Sequence, residues 1–309
     1  MRELILIRTH FYCEATERFY NYLKSTSNRD IAFVCDETNG NVDVGCGKVK
    51  ISISADTIRE MGLYVPSNFG WLCGDYFIYA ASQLLRGYDR YWLLESDVRL
   101  SMSSSANFFD AFSEDFSDIF AFHVYKAKSN WYWYKPMSHF ECDVYACLFP
   151  FIGITRAAAD FAFSARKEIS KTFDGVVPRS ERRRWPNDES FLMTTLMANG
   201  FTCRNMNDGA IKYITGETFG VGLPKSDIRL SKQDPDGMIY HPVHFSERFT
   251  AKADRWLTTY IKSKATAEKM RDVFTQEFMD DFRAESNEQE FALFRERLHK
   301  AIEDSSKSC

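Results

Sequence analysis

The chain alternates between short runs that are apolar almost throughout and longer segments that are apolar every third or fourth residue. "ELILIRTHF", "IAFVCDE" and "YWLLE" are runs of the first kind, each short and each ending in polar or acidic residues. Such runs read as strands buried on both faces. Between them, "EATERFYNYLKST" sets Phe19, Tyr20 and Leu23 at helical spacing. "GDYFIYAASQLLRGY" marks the turns of a second helix with Tyr76, Tyr79, Ala80, Gln83 and Leu84, and Gly87 can stop it. The strand–helix–strand order predicts an α/β domain built on a mostly parallel sheet with helices on both faces.

The middle of the chain is less regular. "DIFAFHVYKA" and "NWYWYKP" are β-like, and "VYACLFPFIGITR" joins apolar strand character to a Pro–Gly break. "RAAADFAFSARKEISKTF" returns to helical spacing, "PRSERRRWP" reads as a basic loop, and "NDESFLMTTLMANGF" is a helix closed by Asn199-Gly200. From about Ala251 to Glu303 the pattern is charged and helical, with Val273, Phe274, Phe278, Phe282, Phe291, Phe294 and Leu298 on its apolar side. The reading is an α/β domain over residues 1–250 and a C-terminal helical extension over 251–309. The extension packs on the main domain or on a second copy, forming a homodimer. No internal repeat or low-complexity segment interrupts the chain.

Composition narrows the classes. The 309 residues can bury a large core, and the net charge of −4 argues against a protein whose main task is gripping nucleic acid. Only Leu4–Ile7 form an unbroken apolar run before Arg8, too short for an export signal, and no later run approaches a bilayer span. The eight cysteines contain no CxxC pair and read as buried thiols, not disulfides or a zinc site. These features predict a cytoplasmic protein, with peripheral contact to the inner face of a membrane as a minority reading.

The stretch carrying the most chemistry is "YDRYWLLESDVRLS", in which an apolar strand ends in Glu95 and Asp97. Ligands of open α/β sheets bind beyond the carboxyl ends of the strands. Residues i and i+2 of an extended chain share a side, so both carboxylates could meet one hard cation. Mg²⁺ or Mn²⁺ held this way suits a nucleoside diphosphate, whose departure the metal stabilises. The same spacing also occurs where acids merely mark the solvated end of a strand.

The helix before this strand, the strand with its acids, the β segments after it and the distant acidic helix together resemble the GT-A type of nucleotide-sugar glycosyltransferase. The resemblance covers roughly residues 1–250. The wording "YDRYWLLESDVR" is similar to that of poorly characterised GT-A-like families, with Glu95 standing where a DxD motif has its first aspartate. The resemblance implies a Rossmann-like, mixed, mostly parallel sheet and sugar transfer from a nucleoside-diphosphate sugar to a hydroxyl of a glycan or glycolipid acceptor, as in surface-polysaccharide assembly. It implies a divalent metal, Mn²⁺ or Mg²⁺, on Glu95 and Asp97. A late histidine would complete that site; His244 is preferred to His241, which precedes Pro242.

Further roles follow, some from the same resemblance and some from residue chemistry alone. In "WPNDES" an acid at the start of a helix would be the acceptor-activating base, Asp188 first and Glu189 second, although acids in a first turn also simply stabilise a helix. Arg8, Thr9 and His10 after the first strand and Asp36 at the end of the second would contact phosphate, ribose or base. Asp75 would touch the donor sugar, or merely begin its helix, and Arg99 is open to the same two readings. Trp131 and Trp133 on one side of an extended "NWYWYKP", with Tyr132 and Tyr134 on the other, would floor an acceptor pocket or belong to the core. Arg179, Arg182, Arg183 and Arg184 would meet an anionic acceptor or lipid headgroups, or form a solvated loop. Two other classes fit the same residues: a metal-dependent hydrolase of phosphate esters or sugar nucleotides, and a non-catalytic carbohydrate-binding protein on a degenerate fold.

Overall fold

The computed structural model describes residues 1–138, 143–173 and 184–306. The chain forms two compact units, one from residues 1–96 and 104–213 and the other from 97–103 and 214–309. The strands in chain order are β1 (Glu3–Thr9), β2 (Asp30–Asp36), β3 (Val49–Ile53), β4 (Arg90–Glu95), β5 (Arg99–Leu100), β6 (Ile119–Lys126), β7 (Tyr145–Thr155), β8 (Cys203–Asn205), β9 (Lys225–Ser226), β10 (Ile239–Tyr240) and β11 (Val243–His244).

The first unit is a helix-flanked, seven-stranded mixed sheet in the order β3-β2-β1-β4-β7-β6-β8, as the sequence pattern predicted. β1 pairs in parallel with both β2 and β4, and only β7 runs against its neighbours. β1 and β4 are apolar throughout because both faces are covered. Leu4, Leu6, Tyr91 and Leu93 enter one core with Tyr76, Tyr79 and Ala162. The indole of Trp92 points the other way and meets the rings of Phe108, Phe109, Phe112, Phe120 and Phe151.

β7 is one continuous strand, where a Pro–Gly break was expected. Its pairing with β6 shifts register between Phe120 and Phe122, and Pro150, which has no N–H to give a ladder, lies in the irregular part. Gly153 stands opposite Trp92, where a Cβ would come within 2.3 Å of the indole. The segment "NWYWYKP" is not a strand. Trp131 N–H donates to the Lys128 carbonyl and Tyr134 N–H to that of Trp131, and a short helix, Tyr134–Met137, follows. Consecutive turns replace the strict alternation of sides that an extended chain would give.

In the second unit, β5 pairs antiparallel with β10 and β9 pairs in parallel with β11. Four helices follow: Glu247–Lys262, Ala267–Val273, Gln276–Glu285 and Glu288–Ser306. Their shared core holds Phe249, Phe274, Phe278, Phe282, Phe291, Phe294 and Leu298, with Phe282 and Phe294 stacked at 4.2 Å. The helical C-terminal part is present, within the compact unit of residues 97–103 and 214–309. Strand pairing sets that division: residues 99–100 belong to β10's ribbon, which hydropathy along the chain does not reveal. No described helix is long and apolar enough to cross a membrane. Arg184 is exposed, while Arg179, Arg182 and Arg183 lie outside the described residues.

Candidate functional site

The strand order reverses direction between β1 and β4, since β2 and β3 lie on one side of β1 and β4 on the other. The carboxyl ends of strands flanking such a reversal diverge into a crevice. Arg8 of β1 and Glu95 of β4 are register partners there, and Arg8 Nη1 donates to Glu95 Oε1 at 2.6 Å. The other guanidinium nitrogen, Nη2, donates to the Gly70 carbonyl, and the guanidinium lies 4.7 Å from the centre of the Phe77 ring. Gly70 also approaches the Asp36 carboxylate at the end of β2, so closely that a Cβ would collide with Asp36 Oδ2. Asp36 Oδ1 accepts from the Thr38 amide at 3.0 Å. Arg8, Asp36 and Glu95 thus meet around one short segment, "FGWLCGD", in which the helical turn Phe69–Leu72 leads through Cys73 and Gly74 into the helix Asp75–Leu84.

Gly74 in that segment holds the acidic helix. Its amide donates to Asp188 Oδ2 at 2.7 Å, and the Glu189 amide donates to Asp188 Oδ1 at 2.8 Å. Asn187 caps the helix Asp188–Ala198 by accepting from the Ser190 amide, and Pro186 precedes it. Burial, with Glu189 and Asp75 adding to it, pushes the Asp188 carboxyl well above the ordinary range. Glu189 is only partly buried, and Asn187 Nδ2 approaches its Oε2 at 3.4 Å. Burial chiefly, with Glu95 nearby, raises Glu189 to about 7, the better-placed value for taking and giving a proton near neutrality.

Some expected site residues are turned elsewhere. Asp75 is fully buried and its Oδ2 accepts from Arg166 Nε at 2.7 Å; Arg166 also donates to the Pro186 carbonyl at 2.9 Å. That ion pair ties the helix Asp75–Leu84 to the entrance of the acidic helix and leaves Asp75 committed within the core. Thr9 is buried, its hydroxyl donating to the Phe11 carbonyl. His10 is exposed and packs edge-on against Phe11. Arg99 is paired with Asp227 at 2.6 Å.

The second unit carries its own cluster. Asp97 lies in the turn after β4, one residue beyond Ser96. The Val243 amide donates to the Asp97 carbonyl at 2.8 Å, which draws "YHPVHF" to it. His241 Nε2 lies 3.6 Å from Asp97 Oδ1 and His244 Nε2 3.9 Å from Asp97 Oδ2. His241 Nδ1 is 2.7 Å from the Gly220 carbonyl; as donor there it leaves Nε2 with a free lone pair facing the acid. His244 Nε2 is buried with no hydrogen-bond partner. Burial lowers His244 to about 4, against the pull of Asp97, so the imidazole is neutral near pH 7. Burial works against ionisation of Asp97, but His241, His244, Lys252 and Arg99 hold its pKa below the ordinary value.

Among the described residues, Asp97 and His241 belong to one group whose ligand atoms lie within 4.8 Å of one another, a group that does not include His244; a carboxylate and an imidazole of this kind fit a divalent cation. Imidazole ligands favour Mn²⁺ over Mg²⁺. His241 joins the set although its place before proline counted against it in the sequence. Gly70, Gly74 and Arg166 were also missed. The pair of glycines four apart in "FGWLCGD" was the only local signal for Gly70 and Gly74, and Arg166 had none.

No protein-family model and no curated protein matches the chain. Among solved structures, it is similar to a glycosyltransferase involved in the glycosylation of the major capsid of PBCV-1, with 10% identity, a TM-score of 0.36, and coverage of 77% of this chain and 91% of that one. At that distance no residue role is carried across.

Proposed function

We propose that this chain is a GT-A-type glycosyltransferase that moves a sugar from a nucleoside-diphosphate sugar to a hydroxyl of a glycan or glycolipid acceptor. The observation that carries the reading is the placement of its acids. Glu95 closes β4 where the strand order reverses, and Asp97, two residues further along the chain, faces two imidazole nitrogens. Residues i and i+2 are at most about 7 Å apart at Cα, so both carboxylates are within reach of one cation. Asp97 and His241 would hold it, with His244 facing the other oxygen of Asp97, and it would neutralise charge on the departing diphosphate.

The remaining residues divide the work. Arg8 fixes the Glu95 carboxylate and, with donors left over, offers charge to a phosphate. Glu189 takes the proton of the acceptor hydroxyl in an inverting transfer, and Asp188, held by two backbone amides, fixes the start of the helix that presents it. Asp36 has the position for a ribose hydroxyl.

Thermal unfolding with UDP, GDP, CDP and their sugars, each with and without Mn²⁺ or Mg²⁺, tests the reading. One nucleotide should stabilise the protein more strongly with metal, and Asp97→Asn should remove the metal-dependent part. No metal-enhanced stabilisation by any of them would overturn it. Sugar-nucleotide turnover that no acceptor accelerates would instead favour the hydrolase.

A further inference from the structure

Beside the acidic helix lies a group of aromatic side chains that the proposed chemistry does not use. Trp71, in the short helix Phe69–Leu72 whose Gly70 receives Arg8, is 57% exposed, Tyr132 is 68% exposed and Tyr125 is 48% exposed. Trp71 and Tyr132 share buried Trp133 as a support, and Tyr125 rests on half-buried Trp131. Trp71 packs against Trp133 with ring centres 5.5 Å apart, Tyr132 meets Trp133 edge-on at 4.5 Å, and Tyr125 meets Trp131 edge-on at 6.4 Å. Trp133 itself is buried in the main core. The support fixes Trp71 and Tyr132, and their exposure costs the protein apolar surface left in water.

One contact and one electrostatic influence tie these rings to the candidate site. Trp71 adjoins Gly70, which touches both Arg8 and Asp36. Tyr125 feels the charge of Glu189, which, after burial, raises its phenol. The aromatic group therefore runs from the strand ends to the proposed acceptor base.

We propose that Trp71, Tyr125 and Tyr132 form a shelf for the pyranose rings of a glycan acceptor; this rests on the glycosyl-transfer reading above. A pyranose offers an apolar C–H face to an aromatic ring and a rim of hydroxyls to polar groups. Rigid aromatic faces with phenol hydroxyls among them, beside a carboxylate able to accept from a sugar hydroxyl, match both features. The net charge of −4 gives no electrostatic support for a nucleic acid stacking there. A lipid tail would have no use for the phenols or the carboxylate.

The test uses the intact chain without donor. Binding to a glycan array, followed by titration of the best oligosaccharide against tryptophan fluorescence, should show saturable binding. Trp71→Ala and Tyr132→Ala should each bind about tenfold more weakly, with Trp71→Phe retaining most of the affinity. Both variants should keep the wild-type unfolding temperature shift with nucleotide and metal, which separates loss of the shelf from loss of the donor site. Absence of saturable binding to any glycan, wild-type affinity in both alanine variants, or saturable binding only to lipid vesicles or a protein partner would overturn the proposal. If glycans bind as described while no nucleotide does, the shelf stands and the transfer reading fails.

Discussion

The Gly74 amide and the Asp188 carboxylate, 114 residues apart in sequence, are joined by a hydrogen bond of 2.7 Å. This contact brings the loop before the central helix against the start of the acidic helix. It requires glycine for reasons of space: a Cβ at position 74 would lie 2.5 Å from Phe149 Cε1, 2.7 Å from Arg8 Nη1 and 2.8 Å from Asp188 Oδ2.

Gly74→Ala should therefore disturb three site-forming groups at once. We expect a loss of about 1–3 kcal/mol in chemical denaturation and weaker nucleotide binding. Gly216→Ala, where nothing lies within 4 Å of an added Cβ, should change stability by no more than about 0.5 kcal/mol. Equal effects would show that the crowding at Gly74 is relieved elsewhere.

Glu189 sets a pH dependence. Its carboxyl is raised from 4.5 to about 7 on folding, so between these values the folded chain binds a proton that the unfolded chain has lost. Its contribution to stability is greatest below that window and falls as pH rises through it. Unfolding free energies measured from pH 4.5 to 8 should show this decline, and Glu189→Gln should flatten it. If Glu189 is the base, the rate of an inverting transfer should rise with pH along a limb centred near 7. A profile unchanged in the glutamine variant would remove it from that role.

Asp75 and Arg166 form an ion pair in which both side chains are fully buried. Asp75→Ala should cost about 3–5 kcal/mol, because the guanidinium is left buried beside no carboxylate. Nucleotide affinity, measured on the folded fraction by calorimetry, should change little. A large loss of affinity with unchanged stability would return Asp75 to the donor site.

The two histidines can be separated by metal titration. His241→Ala should weaken Mn²⁺ binding at least about tenfold if it is a ligand as proposed, and His244→Ala should do the same if its Nε2 also reaches the ion. A response from His244→Ala alone would mean that His241 serves only to hold the Gly220 carbonyl.

What the sequence determined was local. The apolar runs of β1, β2 and β4, the helix Glu14–Thr26 and the phenylalanines of the C-terminal helices each carry their burial in their own spacing, so period alone identified them. From Glu95 to Leu100 half-buried and buried positions alternate, with Ser96 and Val98 buried between, a pattern that period along the chain also shows. "NWYWYKP" had the same local signal and misled, because its backbone turns through Lys128 and Trp131 carbonyls and aromatic residues suit a core in either conformation.

Only the tertiary structure decided which of these pieces meet. Arg8 and Glu95 are 87 residues apart, and Asp75 and Arg166 are 91 apart. The order of strands, not any periodicity along the chain, sets one pair at the mouth of the crevice and the other in the core. Residue type cannot distinguish these outcomes, since an acid paired with an arginine obeys the same electrostatics in either place. Burial and the identity of the remaining neighbours make Asp75 a structural anchor, leave Glu189 partly open with its proton affinity raised, and place His241 and His244 facing Asp97.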